Sequence, residues 1–409
     1  MWYCLVLPTA VSNATGFTLP FSGGRAGSYL SSIIAVVGAR PNFMKIAPVM
    51  DRLRAAGVSV SLVHTGQHYD ESMSDSFFRQ LGIPEPDVDL EVGSGTHAVQ
   101  TAEIMIRFEP VLERYAPSAV IVVGDVNSTI ACALVAAKRE IPVVHIEAGL
   151  RSFDRTMPEE INRVLTDQLS ELLFTTERDA RENLRREGVR DERIHFVGNV
   201  MIDSLFGHLD RAVPPKKTLE ALGREPIAEG THYGVVTLHR PSNVDEPEQL
   251  RTLMATFVRV SERLPLVFPV HPRTASRIES LGFDCPSRLL LTPPVGYLEM
   301  LGLMKNAKLV LTDSGGMQEE TTALGVPCLT LRENTERPIT VSEGTNTIVG
   351  RDPARIEREV DAILTTGGKS GRRPEQWDGK ASTRIRDVLV SWLEEKGKLD
   401  AVMEDGERG

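Results

Sequence analysis

Short aliphatic runs alternate with amphipathic stretches from Ile33 to about residue 350 of this 409-residue chain. The runs are rich in valine and isoleucine, as in IIAVVG (33–38) and AVIVVGD (119–125). Runs of this kind are typical of parallel strands that are buried on both faces. The stretches between them, such as FMKIAPVMDRLRAAG, have the polar and apolar spacing of helices. The alternation therefore predicts strand–helix–strand units in doubly wound parallel sheets.

The alternation breaks once, and the break divides the chain. About six runs precede the proline- and lysine-rich segment VPPKK (213–217), which we interpret as a linker, and about six follow it. We predict one Rossmann-like domain over 33–207 and a second over 208–380. The segment 381–409 is predicted to hold an amphipathic helix and a charged tail. Residues 1–32 are interpreted as a disordered extension before the first strand.

Composition narrows the class of protein. Hydrophobic residues make up 41% and charged residues 25%, which is typical of globular domains and excludes collagen, coiled coils and wholesale disorder. The net charge of −10 argues against nucleic acid as a partner. The four cysteines form no CxxC pair, which favours a reducing cytoplasm. No apolar run reaches the ~18–20 residues that cross a bilayer, so we predict no membrane association. The chain starts with an apolar stretch, but no Lys or Arg precedes it, which argues against a signal peptide.

Ionisable and small residues cluster where the predicted strands end. In open α/β sheets ligands bind outside the carboxyl ends of the strands. In the first half these ends carry GARP (38–41), HTGQH (64–68), GD (124–125) and HIEAG (145–149). In the second half they carry HR (239–240), HPR (271–273), DSGG (313–316) and Arg332. A cleft between two facing rims is the simplest architecture that uses both sets.

The segment LTDSGGMQEETTALG is a candidate phosphate site. It predicts a strand, a turn and a helix that begins near Gly316, where the backbone N–H groups from Ser314 and Gly315 onward can approach an anion. Glu320, about one turn later, can accept hydrogen bonds from ribose hydroxyls. The alternative is that Asp313 and Ser314 only cap the helix. Neither GxGxxG nor GxxxxGK[ST] occurs, so we predict no nicotinamide cofactor and no P-loop.

Three cations lie near the two rims. Arg40 and Lys45 flank the start of the first helix, where positive charge is unfavourable without a nearby anion. Arg337 lies in ENTERP, after a strand. Each one alone is equally well explained as a solvated surface charge, but together they suit a pyrophosphate.

Three carboxylates and one histidine are the candidates for proton transfer. Asp125 and Glu147 end buried strands, and Glu159 lies in the first turn of the next helix, where dipole compensation is the alternative explanation. Crowded carboxylates raise one another's pKa values and suit general acid–base chemistry. His239 ends the first strand of the second half, where a structural and a catalytic role are equally supported.

Two motifs are compatible with a metal, and neither is sufficient. His64 and His68 bracket TGQ without an evident third ligand. Asp87-Val88-Asp89 forms a DxD triplet, but it lies at the start of a strand, away from the rim. We predict no metal site.

Together the motifs resemble the UDP-N-acetylglucosamine 2-epimerase family. The resemblance is carried, in chain order, by VVGARPNFMKIAP, HTGQHYD, VVGDVNST, HIEAGLRS, MPEEINR, VGNVMIDSL, TLHRPSNVD and LTDSGGMQEETTALGVPCLTLRENTERPITVSEGTN. It spans about residues 33–350 and implies the GT-B fold. In that fold two Rossmann-like domains face each other across a central cleft, and a C-terminal helix returns to the first domain.

The resemblance also implies a reaction and a set of site residues. UDP is eliminated across C1–C2 of UDP-N-acetylglucosamine, and the resulting 2-acetamidoglucal takes UDP back to give UDP-N-acetylmannosamine. The acid/base candidates, in either direction, are Asp125, Glu147 and Glu159, and His239 supports the leaving phosphate. The residues implied to bind UDP are Arg40, Lys45, Met300 (against the uracil), Ser314, Gly315, Gly316, Glu320 and Arg337. The resemblance implies a homodimer and requires neither a metal nor a nicotinamide.

The chain also departs from the family pattern. It reads LHRPSN where many bacterial members read GHRREN, and TGQHYD where they read TGQHRE. In those members these stretches contribute to a second, allosteric UDP-N-acetylglucosamine site. Gln67, Arg240 and His271 are retained and are the allosteric candidates, although their neighbours differ.

Three alternative functions stay open. A hydrolysing branch of the family releases free N-acetylmannosamine and UDP, but the TERP and MPEEINR segments favour the non-hydrolysing branch. A GT-B glycosyltransferase needs only one general base, whereas this rim carries three carboxylates. A non-catalytic sensor would tolerate the loss of Asp125 or Glu147, yet both are present.

Overall fold

The computed structural model describes residues 32–66, 82, 85–225, 227, 230–283 and 285–397. The predicted extension lies outside the described residues apart from Ser32. The same holds for Gln67 and for the tail from residue 398 onward.

The first domain is built on a parallel sheet of seven described strands in the order β3-β2-β1-β4-β5-β6-β7. The strands are β1 (Ser32–Val37), β2 (Ser59–His64), β3 (Val88–Asp89), β4 (Ala119–Val123), β5 (Val143–Ala148), β6 (Leu172–Thr175) and β7 (Ile194–Phe196). The helices are α1 (Arg40–Ala55), α2 (His97–Tyr115), α3 (Asn127–Lys138), α4 (Pro158–Leu169) and α5 (Arg178–Arg186), and a 3-10 turn spans Asp191–Arg193. The strand order reverses between β1 and β4, which places a ligand crevice at their carboxyl ends.

Two helices connect the domains. They are α6 (Val200–His208) and α7 (Pro215–Ala221), with a 3-10 turn at Leu209–Arg211 between them. Helix α7 begins inside the segment 213–217, so the predicted linker is partly helical. Pro215 is the first residue of this helix, where a proline N–H is not needed and the fixed φ angle suits the first turn.

The second domain is built on a parallel sheet of six described strands in the order β10-β9-β8-β11-β12-β13. The strands are β8 (Gly234–Thr237), β9 (Leu266–Pro269), β10 (Leu289–Thr292), β11 (Leu309–Thr312), β12 (Cys328–Thr330) and β13 (Asn346–Ile348). The helices are α8 (Pro241–Val244), α9 (Pro247–Ser261), α10 (Pro272–Ser280), α11 (Tyr297–Lys305), α12 (Gly315–Leu324), α13 (Pro338–Ser342) and α14 (Pro353–Thr366). Here the order reverses between β8 and β11, which places a second crevice at the carboxyl ends of these strands.

The last described helix, α15 (Ala381–Glu395), lies against α1 of the first domain. The Asp203 carboxylate on α6 caps it by accepting the backbone N–H groups of Ala381 at 3.0 Å and Ser382 at 2.7 Å. Just before this helix, the buried Trp377 indole donates a hydrogen bond to the Thr176 carbonyl at 3.1 Å. The chain therefore leaves the first domain, builds the second, and returns.

One apolar cluster extends through both domains. It includes Ile33 of β1, Val235 of β8 and Leu389 of α15. Helix α6 contacts both α1 and α12, so it lies at the junction between the domains. This shared core holds the two carboxyl rims opposite each other. None of the described helices combines the length and the apolar character of a membrane span.

Candidate active site

A cavity of about 510 Å³ lies between the carboxyl edges of the two sheets. Most of the predicted site residues line it. They are Lys45, Asp125, Glu159, His239, Arg240, Met300, Ser314, Gly315, Gly316, Glu320 and Arg337. Arg40 is the first residue of α1, but its side chain lies outside the described part of the structure.

Glu147 has the most unusual environment among the predicted acids. Its φ angle is +72°, in the region that non-glycine residues rarely adopt, and the β5–β6 register shifts at this point. Backbone strain of this kind concentrates at functional sites. One carboxylate oxygen is ion-paired with Lys45 and the other with Arg337. Burial by itself raises the pKa of Glu147, but the charges of Lys45 and Arg337 outweigh it and hold the pKa at about 2.

Asp125 has a cationic partner, Arg163, that is not among the predicted site residues. Gly124, with a φ angle of +69°, turns the chain after β4 and presents Asp125 at the rim. The Asp125 carboxylate accepts hydrogen bonds from Arg163 Nε at 2.9 Å and Nη2 at 2.7 Å. Arg163 also pairs with the buried Glu160 at 2.6 Å. The only signal in the sequence was the position of Arg163 one turn after Glu159 in MPEEINR.

Glu159 separates two cavities. It lies in the first turn of α4 and is half-buried. Together with Asp125 and Val126 it lines both the main cavity and a smaller one of about 270 Å³. Within the described part of the chain, Glu159 forms no ion pair. In this respect it differs from Glu147, which pairs with both Lys45 and Arg337.

Arg337 lies where the two domains meet. Besides Glu147 of the first domain it pairs with Glu319 of the second, with 2.8 Å between Nε and Oε1. Burial acts to lower the pKa of Arg337, but Glu319 and Glu147 raise it above its usual value. Two of the cations predicted to hold a pyrophosphate, Lys45 and Arg337, are thus ion-paired with an acid predicted to transfer protons. No local sequence pattern indicated this pairing.

The glycine-rich turn starts α12 one residue earlier than predicted, at Gly315. Ser314 is the N-cap, although its hydroxyl lies 3.5 Å from the Met317 N–H. A Cβ on Gly315 would lie 2.9 Å from the Glu336 carboxylate, so a side chain there would displace the end of Glu336. The nearest atom to a Cβ on Gly316 would lie 3.5 Å away, so packing leaves room for a side chain there.

Asp313 does not cap this helix, contrary to the alternative in the sequence analysis. Its buried carboxylate accepts the backbone N–H groups of His239 at 3.1 Å and Arg240 at 3.0 Å. It also lies 2.7 Å from His239 Nδ1. Burial raises the pKa of Asp313, but the hydrogen bond and charge of His239 lower it below its usual value. Asp313 therefore orients the histidine and leaves Nε2 available to a ligand.

Glu320 is buried but is not ion-paired in the described structure. Its Oε1 accepts a hydrogen bond from the Tyr297 hydroxyl at 3.0 Å. Burial raises the pKa of Glu320 to about 7 despite this hydrogen bond. Met300 follows Tyr297 on α11 and also lines the cavity. A partly neutral carboxyl beside an apolar side chain suits hydrogen bonding to a sugar hydroxyl near a base.

The three allosteric candidates are not assembled into one described site. Arg240 lines the main cavity and pairs with Glu336 at 3.2 Å. His271 is exposed, caps α10 by accepting the Arg273 N–H at 3.3 Å, and does not line that cavity. Gln67 lies outside the described residues.

The fold and the cleft define a two-domain α/β protein of the GT-B class, and comparison with known proteins gives its family. The chain belongs to the UDP-N-acetylglucosamine 2-epimerase family, whose model matches residues 51–390. It is 41% identical to the UDP-N-acetylglucosamine 2-epimerase of Methanocaldococcus jannaschii, covering 87% of this chain and 98% of that protein. These matches confirm the resemblance predicted from the sequence.

A second relative and a solved structure extend the comparison. The chain is also 41% identical to the UDP-2,3-diacetamido-2,3-dideoxy-D-glucuronate 2-epimerase of Pseudomonas aeruginosa, covering 88% of this chain and 99% of that protein. The crystal structure of the M. jannaschii enzyme in complex with UDP-GlcNAc and UDP matches with a TM-score of 0.79 and 38% identity, covering 88% of this chain and 99% of that one. The predicted GT-B fold is thereby confirmed.

Proposed function

We propose that this chain is a non-hydrolysing UDP-N-acetylglucosamine 2-epimerase that interconverts UDP-N-acetylglucosamine and UDP-N-acetylmannosamine. One observation carries the proposal. Asp125 and Glu159 face Ser314 and Gly316 across a single cavity, and Glu147 is ion-paired to two residues of its wall. The proposed reaction transfers protons at a sugar carbon and releases a nucleotide. It therefore needs acid–base groups on one side of the cavity and a nucleotide site on the other.

In this proposal UDP binds mainly on the second rim. The N-terminus of α12 at Ser314 and Gly315 receives a phosphate, since helix N-termini favour anions. Glu320 accepts hydrogen bonds from the ribose, and Met300 packs against the uracil. The diphosphate then extends toward Lys45 and Arg337, with Arg40 at the start of α1 on the same side.

The reaction follows from the groups on the first rim. A carboxylate takes the proton from C2, the bond between C1 and the UDP oxygen breaks, and a C1–C2 double bond forms. His239, held by Asp313, supports the charge that develops on the leaving phosphate. In the second half the UDP oxygen bonds again to C1, and a proton is delivered to the opposite face of C2. This sequence needs two proton-transferring groups, and Asp125, Glu147 and Glu159 supply three.

Diphosphate binding is expected to change Glu147. A bound diphosphate competes with Glu147 for Lys45 and Arg337, which are its two ion-pair partners. Those charges hold the pKa of Glu147 at about 2, where it is a weak base. Losing part of their attraction raises its pKa, so Glu147 accepts a proton more readily in the complex than in the free enzyme.

Proton NMR in D₂O tests the proposed function. Incubation with UDP-N-acetylglucosamine is expected to give UDP-N-acetylmannosamine carrying deuterium at C2. Free N-acetylmannosamine together with UDP would instead assign the chain to the hydrolysing branch. An unchanged spectrum at high substrate concentration would overturn the epimerase proposal.

The Pseudomonas relative makes a uronate the second candidate substrate. The smaller cavity beside Asp125 and Glu159 is also lined by the neutral amides of Gln100, Asn127 and Asn162. Two carboxylates on its wall repel an anionic substituent on the sugar. We therefore expect UDP-N-acetylglucosamine to be preferred over UDP-2,3-diacetamido-2,3-dideoxy-D-glucuronate by at least ~10-fold in kcat/KM. Equal rates for the two would contradict this choice.

We also propose a homodimer. Four aliphatic side chains on α2 and α4, Val99, Ile106, Ile161 and Leu165, are 44–65% exposed. Both helices pack against α3, and exposed apolar groups on such a surface favour a protein contact. Light scattering after gel filtration is expected to give twice the chain mass, and the Ile106→Glu/Leu165→Glu variant is expected to give a monomer.

The free buried thiols of Cys132 and Cys328 support a cytoplasmic location.

A further inference from the structure

A buried charged network lies directly beneath the first rim. His145 on β5 is fully buried, with Nδ1 2.6 Å from Asp167 Oδ1 and Nε2 2.8 Å from the Gly124 carbonyl oxygen. Asp167 on α4 is also fully buried. Its other oxygen accepts the Gly149 N–H at 3.1 Å and lies 2.7 Å from Arg151 Nη2. None of these residues was among the predicted site residues.

The hydrogen-bonding pattern determines where the protons are. The Gly124 carbonyl can only accept, so His145 Nε2 must carry a hydrogen. Asp167 Oδ2 already receives two donors. Burial acts to raise the pKa of Asp167, but that pKa lies below its usual value. The Gly149 N–H and the Arg151 guanidinium favour the carboxylate whatever the charge of His145, so Asp167 is a carboxylate. Its Oδ1 therefore also accepts, and Nδ1 must carry a hydrogen too.

The charge balance leads to the same result. Arg151 pairs with Asp167 and, through Nη2 at 2.5 Å, with Glu187. With a charged His145 the cluster holds two positive and two negative groups. A neutral His145 would leave Arg151 as the single cation for two carboxylates, of which Asp167 is fully buried and Glu187 is partly exposed, and a buried carboxylate that shares its counter-charge is costly.

The network joins the three segments that carry the candidate acids. Gly124 immediately precedes Asp125, and His145 lies two residues before Glu147 on the same strand. Asp167 lies on the helix whose first turn holds Glu159. A change at the His145–Asp167 pair thus acts on all three carboxylates without touching the cavity itself.

We propose that His145 is a positioning residue, held as a buried imidazolium between Asp167 and the Gly124 carbonyl, that fixes the relative placement of the three carboxylate segments. The charge state of His145 is independent of the proposed function. Only the activity measurement below rests on that function.

The charge state is tested on the wild-type chain labelled with ¹⁵N-histidine. Two-dimensional NMR at neutral pH is expected to show one imidazole with both nitrogens protonated, and His145→Gln removes that signal. If this variant does not fold, replacing the eight other histidines of the nine one at a time assigns the signal by elimination. A His145 ring with one bare nitrogen would overturn the proposal.

Kinetics test the positioning role. Glutamine at position 145 keeps a hydrogen-bonding group but loses the charge and one ring contact. We expect kcat to fall by ~10- to 100-fold, because small displacements of catalytic groups have effects of this size. UDP affinity by calorimetry is expected to stay within about twofold, since UDP binds mainly on the other rim. Unchanged kcat in folded His145→Gln would contradict the proposal.

His195→Gln is the matched control. His195 lies on β7 of the same sheet, is partly buried, and lines neither of the two cavities described above. Its replacement is expected to leave kcat unchanged. An inactive wild-type chain would refute the epimerase function alone, because the NMR measurement would still decide the charge state of His145.

Discussion

The two rims of the cleft shift the pKa of a buried carboxylate in opposite directions. Glu147 on the first rim is paired with Lys45 and Arg337, and its pKa lies at about 2. Glu320 on the second rim is equally buried, but its hydrogen-bond partner is the Tyr297 hydroxyl and its pKa lies at about 7. Burial pushes both pKa values upward, so the partner decides the outcome.

This difference indicates a division of labour. The first rim holds fixed charges in place before substrate arrives, as preorganised sites for proton transfer do. The second rim offers small residues, a helix N-terminus and a neutralised carboxyl, which recognise a ligand by shape and hydrogen bonds. Chemistry and nucleotide recognition are thus separable by mutation.

The largest expected effect is on the first rim. Asp125→Asn removes the charge that Arg163 holds at the cavity, and kcat is expected to fall by at least ~10³-fold, in line with the loss of a catalytic group. UDP affinity is expected to change less than twofold by calorimetry. Asp191→Asn is the control, because Asp191 is likewise paired with an arginine, Arg185, but lies on the surface. Normal turnover in Asp125→Asn would remove Asp125 from the acid/base candidates.

Glu177 sharpens the comparison because it belongs to the first domain yet forms no ion pair in the described structure. Burial raises its pKa to about 8, against the opposing charge of Arg337. The folded state therefore holds this proton more tightly than the unfolded state, and the stability it contributes is lost as pH rises from about 4.5 to 8.

Glu177→Gln is expected to remove this loss. The free energy of unfolding of this variant, taken relative to that of the wild type, should rise between pH 5 and 8, by on the order of a few kcal/mol at pH 8. Urea denaturation at a series of pH values measures it, with Glu182→Gln on the exposed side of α5 as control. A difference that does not depend on pH would contradict the raised pKa.

Glu320→Ala tests the second rim. We expect UDP affinity to weaken by ~10-fold, the effect of about one lost hydrogen bond to a buried group. The effect on kcat is expected to be smaller. Glu320→Gln keeps the acceptor for Tyr297 and should retain most of the affinity. Unchanged UDP binding in the alanine variant would exclude Glu320 from the ribose site.

The smallest expected effect is the uptake of a fraction of a proton when pyrophosphate binds. Pyrophosphate draws Lys45 and Arg337 away from Glu147, so binding at pH 4–5 is expected to be accompanied by proton uptake at this carboxylate, ~1 proton at most. Calorimetry in two buffers of different ionisation enthalpy measures the uptake. Subtracting the Glu147→Gln result removes protons exchanged by pyrophosphate itself. Equal uptake in both proteins would show that Glu147 does not respond to the anion.

The sequence was sufficient for the architecture and for most of the cavity wall. Alternating runs identify parallel strands, and in parallel sheets the carboxyl ends share one edge, so Asp125 and Ser314 were assigned to opposite rims correctly. The Arg337–Glu147 pair joins residues 190 positions apart, which no local pattern encodes. Arg163 and His145 were missed for the same reason, since their roles depend on partners on other elements.

Two local patterns were ambiguous, each for a physical reason. Asp313 precedes a helix and fits the cap pattern, but the turn after β8 offers it two backbone N–H groups at hydrogen-bonding distance, those of His239 and Arg240. Pro215 lies in an apparent linker, yet proline is also favoured at a helix start. In both cases one motif serves two structures, and the tertiary neighbours select between them.

The return of α15 to α1 has a consequence for biosynthesis. During translation the segment 33–207 leaves the ribosome long before residues 381–395. Helix α1 therefore lacks its contact with α15 until nearly the whole chain has been synthesised. Until then the surface that receives Leu389 and Leu393 is open to chaperones or to other nascent chains. The first domain to be synthesised is therefore the last to be completed.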